Sequence, residues 1–191
     1  MKNLLSKPAL MAWLVLSTIG LAAPASAETK LLTNYWGISY HFLNLDTPGV
    51  AAINPKMVVV DIGHHLSPSW SLETRMGVPS TEETIEWNGQ TANQRVNLLF
   101  TAQMRKGVVN YKGAELYGVF GLTYSNVSTG ALQSGTLTQA TKEALDLSYG
   151  LGVRFRLATL SRMTGHIEYD RLTSLTQQGL SSLNIGVNYY F

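Results

Sequence analysis

Charged side chains set within alternating apolar stretches are the residues of this chain whose types and spacing suit chemistry. Glu73, Arg75, Arg95, Arg105, Glu115, Asp146, Arg154, Arg156, Glu168 and Asp170 share the polar parity of their stretches, with glycines such as Gly77, Gly121, Gly150 and Gly152 on the same side. The planar fork of arginine bonds carboxylates two at a time, so this mixture suits a crowded interior crossed by ion pairs. Two other patterns invite a sharper reading. His64 and His65 resemble a metal pair, but neighbours on a strand point to opposite faces and cannot close on one ion. His166 and Glu168 share a face and, with Ser148, supply the residue types of a hydrolase triad. Gly150-Leu151-Gly152 falls within a strand pattern, where glycine makes room rather than cradling phosphate. No catalytic, cofactor or metal residue is expected.

The elements that position these charges repeat every second residue. In "NYWGISYHF", Trp36, Ile38, Tyr40 and Phe42 oppose Tyr35, Gly37, Ser39 and His41. In "ALDLSYGLGVRFRL", leucines and aromatics alternate with Asp146, Ser148, Gly150, Gly152, Arg154 and Arg156. Stretches built alike begin near Met57, Trp70, Arg95, Glu115, Thr164 and Ser181. Each is about as long as a tilted strand that crosses a bilayer, roughly 9–11 residues. Longer connections are expected at 44–55, 79–92, 125–143 and 173–179, and shorter ones at 67–69, 106–112 and 158–162. That alternation predicts an all-β, eight-stranded, antiparallel up-and-down transmembrane barrel, with both termini on the short-turn side.

Alternation alone does not say which face is wet, since a soluble barrel also alternates. Three features favour charges inside and lipid outside. Lys30, Lys56, Lys106, Lys112 and Lys142 all fall in expected loops, turns or strand ends, whereas a watered strand surface carries scattered lysine. The polar face is rich in glycine and the apolar face is bulky, as a narrow eight-stranded lumen requires. Trp36, Trp70, Tyr124, Tyr149 and Tyr169 share the apolar face, several near strand ends, as membrane girdles do.

Residues 1–27 are read apart from the barrel. Lys2 and Lys7 precede an apolar run and then Ala25-Ser26-Ala27, the pattern of a signal peptide cleaved after Ala27. The domain expected after it is 28–191. Residues 1–27 hold two lysines and no acid, so the chain that follows is neutral, which argues against nucleic acid as a partner. No cysteine is present, so no disulfide staples the fold.

The signal segment, the alternating stretches, "YGLGVRFRL", "HIEYDRL" and the terminal aromatic together resemble the small outer-membrane β-barrels of Gram-negative bacteria, the OmpA/OmpX and opacity-protein-like group. The resemblance spans the whole chain after residue 27. It implies an outer-membrane location, contact with membrane lipid and lipopolysaccharide, and recognition by the barrel-assembly machinery. Asn184, Gly186, Tyr189 and Phe191 match the polar-x-Gly-x-x-aromatic-x-aromatic signal read in that family. Some barrels of this size are lipid A deacylases, but their His-x-Ser-Asn pattern is absent here. The expected role is structural or adhesive, through loops such as the acidic one carrying Glu82, Glu83, Glu86 and Trp87. A narrow pore for small solutes is the alternative. The charges are expected in two lumen layers: Glu73, Arg105, Glu115, Arg154 and Arg156 near the short turns, and Arg95, Asp146 and Asp170 nearer the loops.

Overall fold

The computed structural model describes residues 34–46, 53–81, 83–87, 90–133, 136–157, 162–173 and 179–191. The expected signal segment, its cleavage site and Glu82 lie outside the described residues, as do the side chains of Glu86 and Trp87.

Among the described residues nine strands follow in order: β1 (Asn34–Asp46), β2 (Lys56–His65), β3 (Trp70–Pro79), β4 (Glu83–Trp87), β5 (Gln90–Tyr111), β6 (Ala114–Gln133), β7 (Thr136–Arg156), β8 (Met163–Thr173) and β9 (Gly179–Tyr190). They make eight walls. β3 and β4 lie end to end against β5, with Trp70 opposite Lys106 and Gly77 opposite Leu99, then Glu83 opposite Gln94 and Trp87 opposite Gln90. Every neighbour pair is antiparallel, and β1 closes on β9 from Tyr35↔Tyr190 to Asp46↔Gly179. Closure matters because hydrocarbon offers no partner to a bare sheet edge.

The two faces separate as the alternation demands. Ile38, Leu147, Tyr149, Leu151 and Tyr169 are exposed on the outside, and Leu151 keeps 65% of its surface. Trp36 is exposed on the same face, and Trp70 and Tyr124 partly so. Glu73, Gln103, Asn184 and Asn188 are buried on the inside. Glycines admit this crowding where side chains meet the wall. A Cβ at Gly63 would sit 2.0 Å from the Tyr35 ring, and one at Gly152 would sit 2.4 Å from the Tyr117 ring.

The connections differ from the sequence reading in two ways. Much of 79–92 and 125–143 is strand: β6 and β7 remain paired out to Gln133↔Thr136, and β4 with β5 out to Trp87↔Gln90. Those stretches lack apolar alternation, yet the backbone ladder continues. At the opposite end, β5 runs to Tyr111, so the 106–112 connection shrinks to a turn at Lys112 and Gly113. Both carry positive φ, 49° and 86°, the geometry of a two-residue hairpin turn that matches strand twist. Lys106 therefore stands within a strand, not in a turn.

Candidate functional site

The lumen is the place where the chemistry-bearing residues meet. Arg75 on β3 is its hub. Arg75 Nε donates to Glu73 Oε1 at 2.7 Å and lies 3.5 Å from Asp61 Oδ1 on β2. Its Nη1 reaches across to β8, donating to Glu168 and, at 3.1 Å, to Asp170 Oδ2. Arg105 on β5 adds a second bridge, with Nη2 3.1 Å from Glu73 Oε2 and 3.4 Å from Glu168 Oε2. Its guanidinium also lies 4.4 Å from the centre of the Tyr117 ring. Four carboxylates thus converge on two guanidiniums, all with at most 6% of the side chain exposed.

Neutral groups complete the bonding. Tyr35 Oη donates to Glu73 Oε2 at 2.7 Å, Gln103 Nε2 to Glu73 Oε1 at 3.0 Å, and Asn184 Nδ2 to Asp170 Oδ2 at 2.7 Å. Ser182 joins His41 to Asn184. Asp61 is one of the mid-strand charges that the alternation turns inward, whereas Tyr35, Gln103, His41 and Asn184 are neutral members that the charge pattern does not reveal, although all four stand on the polar parity beside it. What the alternation lacked was the strand-to-strand register that brings them within reach.

A separate pair lies nearer the short turns. Arg154 Nε donates to Glu115 Oε2 at 3.0 Å, and Arg154 Nη1 donates to the Tyr190 hydroxyl at 2.8 Å. Tyr190 stacks on His65 with ring centres 5.8 Å apart. The expected division into two layers is therefore corrected. Glu73 and Arg105 join Asp170 in one central cluster, because Arg75 spans the distance between the expected layers.

Two expected lumen residues are elsewhere. Arg95 is exposed, because β5 carries a register shift between Val96 and Leu98 that moves its upper residues to the opposite face. Val96, on the parity opposite to Arg95, is 1% exposed inside. Arg156 keeps the lumen parity but lies at the last residue of β7, exposed at the mouth. Asp146 is buried in the lumen, toward the loop end of β7.

The loop half of the lumen is not uniformly polar, a further correction: beside buried Gln94, Thr123, Ser128 and Asp146 it holds a large apolar patch. Leu43, Leu45, Ile53, Met57, Val59, Val96, Leu99, Val127, Leu172 and Leu180 form one buried apolar cluster. Each strand member sits on the inner face toward the loop end. Ile53 is carried into it by a bridge to Leu45, with backbone bonds of 2.9 and 3.1 Å. The signal was present as Val59 and Leu43, apolar residues on the polar parity. The residues of the apparent terminal signal divide between faces: Asn184 and Gly186 point inward, Tyr189 lies 6.2 Å from the Trp36 ring outside, and Phe191 is exposed. His64 and His65 bond and stack with different groups, the former with Asn34 Oδ1 at 2.7 Å.

A closed eight-walled barrel with greasy exterior and ion-paired interior matches a known family. The family described as outer membrane protein beta-barrel domain matches residues 13–191. The chain belongs to that family. Membership carries with it the outer membrane of a Gram-negative bacterium. Solved structures similar to this outer-membrane barrel include Ail, the attachment invasion locus protein of Yersinia pestis, at 15% identity and TM-score 0.58, covering 83% of this chain and 99% of that one. OprG from Pseudomonas aeruginosa matches at 10% identity and TM-score 0.57, covering 83% and 96%. Neisserial surface protein A matches at 10% identity and TM-score 0.54, covering 83% and 97%. At these identities the likeness is one of fold. No curated protein matches the chain.

Proposed function

We propose that this outer-membrane barrel is a closed surface protein with a structural or adhesive role, acting through the strands and loops beyond the membrane. The observation that carries this reading is the stacking of two seals in one lumen. A central ion-pair cluster spans β2, β3, β5 and β8, and the apolar cluster lies over it on the loop side. A lumen packed by both leaves the outside of the barrel as the working surface. There β6 and β7 stay paired well past Leu147↔Thr173, the last pair that β7 makes with β8. Residues on rigid projecting elements are where binding resides in such scaffolds. Export with removal of residues 1–27, insertion by the barrel-assembly machinery through Asn184, Gly186, Tyr189 and Phe191, and an outer leaflet of lipopolysaccharide are parts of the same reading. No catalytic step is assigned to His166, Glu168 or Ser148.

The narrow-pore alternative draws on one observation. On the turn side, Tyr117, His166 and Asn188 hold buried polar atoms without a protein hydrogen-bond partner, as a hydrated chamber would. Planar-bilayer conductance separates the two. The closed reading expects no ion steps from the wild type, and none from Leu43→Ser with Leu180→Ser, because the ion-pair cluster still fills the lumen beneath the opened apolar seal. Steady wild-type steps would replace the closed reading with the pore.

A further inference from the structure

The outer wall carries a cation, Lys106, close to its short-turn end. Trp70, Lys106, Gly118 and Leu151 stand in one cross-strand row on β3, β5, β6 and β7, all on the lipid-facing parity. Apolar side chains surround Lys106 on both sides along the barrel. Phe120 and Leu151 are exposed beside it, and Val109 and Tyr111 continue the apolar surface toward the turn. Lys106 Nζ lies 4.4 Å from the centre of the Trp70 ring, which meets Phe120 edge-on at 6.2 Å. Among the described residues no carboxylate lies within ion-pair distance of Nζ.

A cation among acyl chains is costly unless it reaches the interface or meets an anion. The Trp70 ring offsets part of that cost and holds the amine on the turn side. Beside it, Gly118 leaves a notch. A Cβ there would approach only Leu151 Cδ2 at 3.8 Å and the Gly150 carbonyl at 3.9 Å, so the surface is recessed between Lys106 and Leu151.

We propose that this row binds one anionic phospholipid of the leaflet on the short-turn side. Lys106 takes the phosphodiester, the Trp70 face packs against the headgroup region, and an acyl chain lies in the notch over Gly118, bounded by Phe120 and Leu151. Charge complementarity selects the occupant, since the amine faces a medium whose available anions are lipid phosphates. The inference rests on the membrane-spanning reading, and a separate control tests that reading.

The experiment titrates the purified barrel in neutral detergent with phosphatidylglycerol or phosphatidylcholine and counts retained lipids by native mass spectrometry. Wild type is expected to retain one phosphatidylglycerol in preference to phosphatidylcholine. Lys106→Met should weaken phosphatidylglycerol retention about fivefold, the contribution of one basic side chain near a charged leaflet. Gly118→Leu should weaken it with the lysine intact, while Lys106→Arg should preserve it. Equal retention of the two lipids, or no change in Lys106→Met, overturns the proposal. Sodium phosphate at the lipid concentration should not displace the lipid, and displacement would overturn the role of the notch. A boiled against unboiled gel shift on the same samples reports whether each variant is a folded barrel. A wild type without that shift sinks the barrel reading itself, independently of lipid retention.

Discussion

Glu73→Leu removes the acceptor that most of the central cluster shares. Tyr35, Arg75, Gln103 and Arg105 all bond this one carboxylate. After the change Arg75 still reaches Glu168 and Asp170 on β8. Arg105 is left with Glu168 Oε2 at 3.4 Å and the face of Tyr117. Its side chain is 2% exposed, so water cannot take over. Breaking a buried pair from one side typically costs about 3–5 kcal/mol, and the expected loss lies in that range. The assay is urea unfolding of the barrel in lipid vesicles, followed by tryptophan fluorescence and by gel migration. Glu115→Leu, whose pair with Arg154 is 13–15% exposed, should cost less. Adding Arg105→Leu to Glu73→Leu should recover part of the loss, because two apolar residues of similar bulk no longer leave a charge stranded. A loss below about 1 kcal/mol for Glu73→Leu, the range of an exposed pair, would show that Glu73 and Arg105 are solvated and the lumen is not packed as described.

Glycine positions and rim charges give further tests. Gly186→Val should abolish the heat-sensitive gel shift, because even a Cβ there lies 2.6 Å from both His166 Cε1 and Ser39 Cβ, whereas Gly118→Ala should cost no more than about 0.5 kcal/mol. Arg156→Ala should leave urea stability within about 0.5 kcal/mol of wild type, while Arg154→Ala, which strips Glu115 and Tyr190 of their donor, should lower it measurably in the same titration.

The barrel was legible in the sequence because its cause is local. A strand between lipid and a packed lumen must alternate, and Trp36-Ile38-Tyr40 against Gly37-Ser39-His41 states that requirement without reference to any other part of the chain. The strand extensions beyond the membrane were less legible for the same reason. Ser125 to Gln133 has no hydrocarbon on one side, so its ladder leaves no apolar rhythm, although β6 and β7 remain hydrogen-bonded there.

The sequence by itself determined which side chains face inward over most of the wall, and therefore that arginines and carboxylates share a lumen. Tertiary structure alone decided how they are joined. Arg75 and Glu168 are 93 positions apart, and only closure of β1 on β9 brings β3 and β8 across one lumen. The shift in β5 turns Arg95 outward, and the end of β7 places Arg156 at the mouth, neither of which parity can record. The apolar seal is decided in the same way. Leu43, Met57, Val96 and Leu180 are scattered singly along the chain, and they become one cluster because a narrow cylinder forces the loop ends of different walls to fill the same small volume.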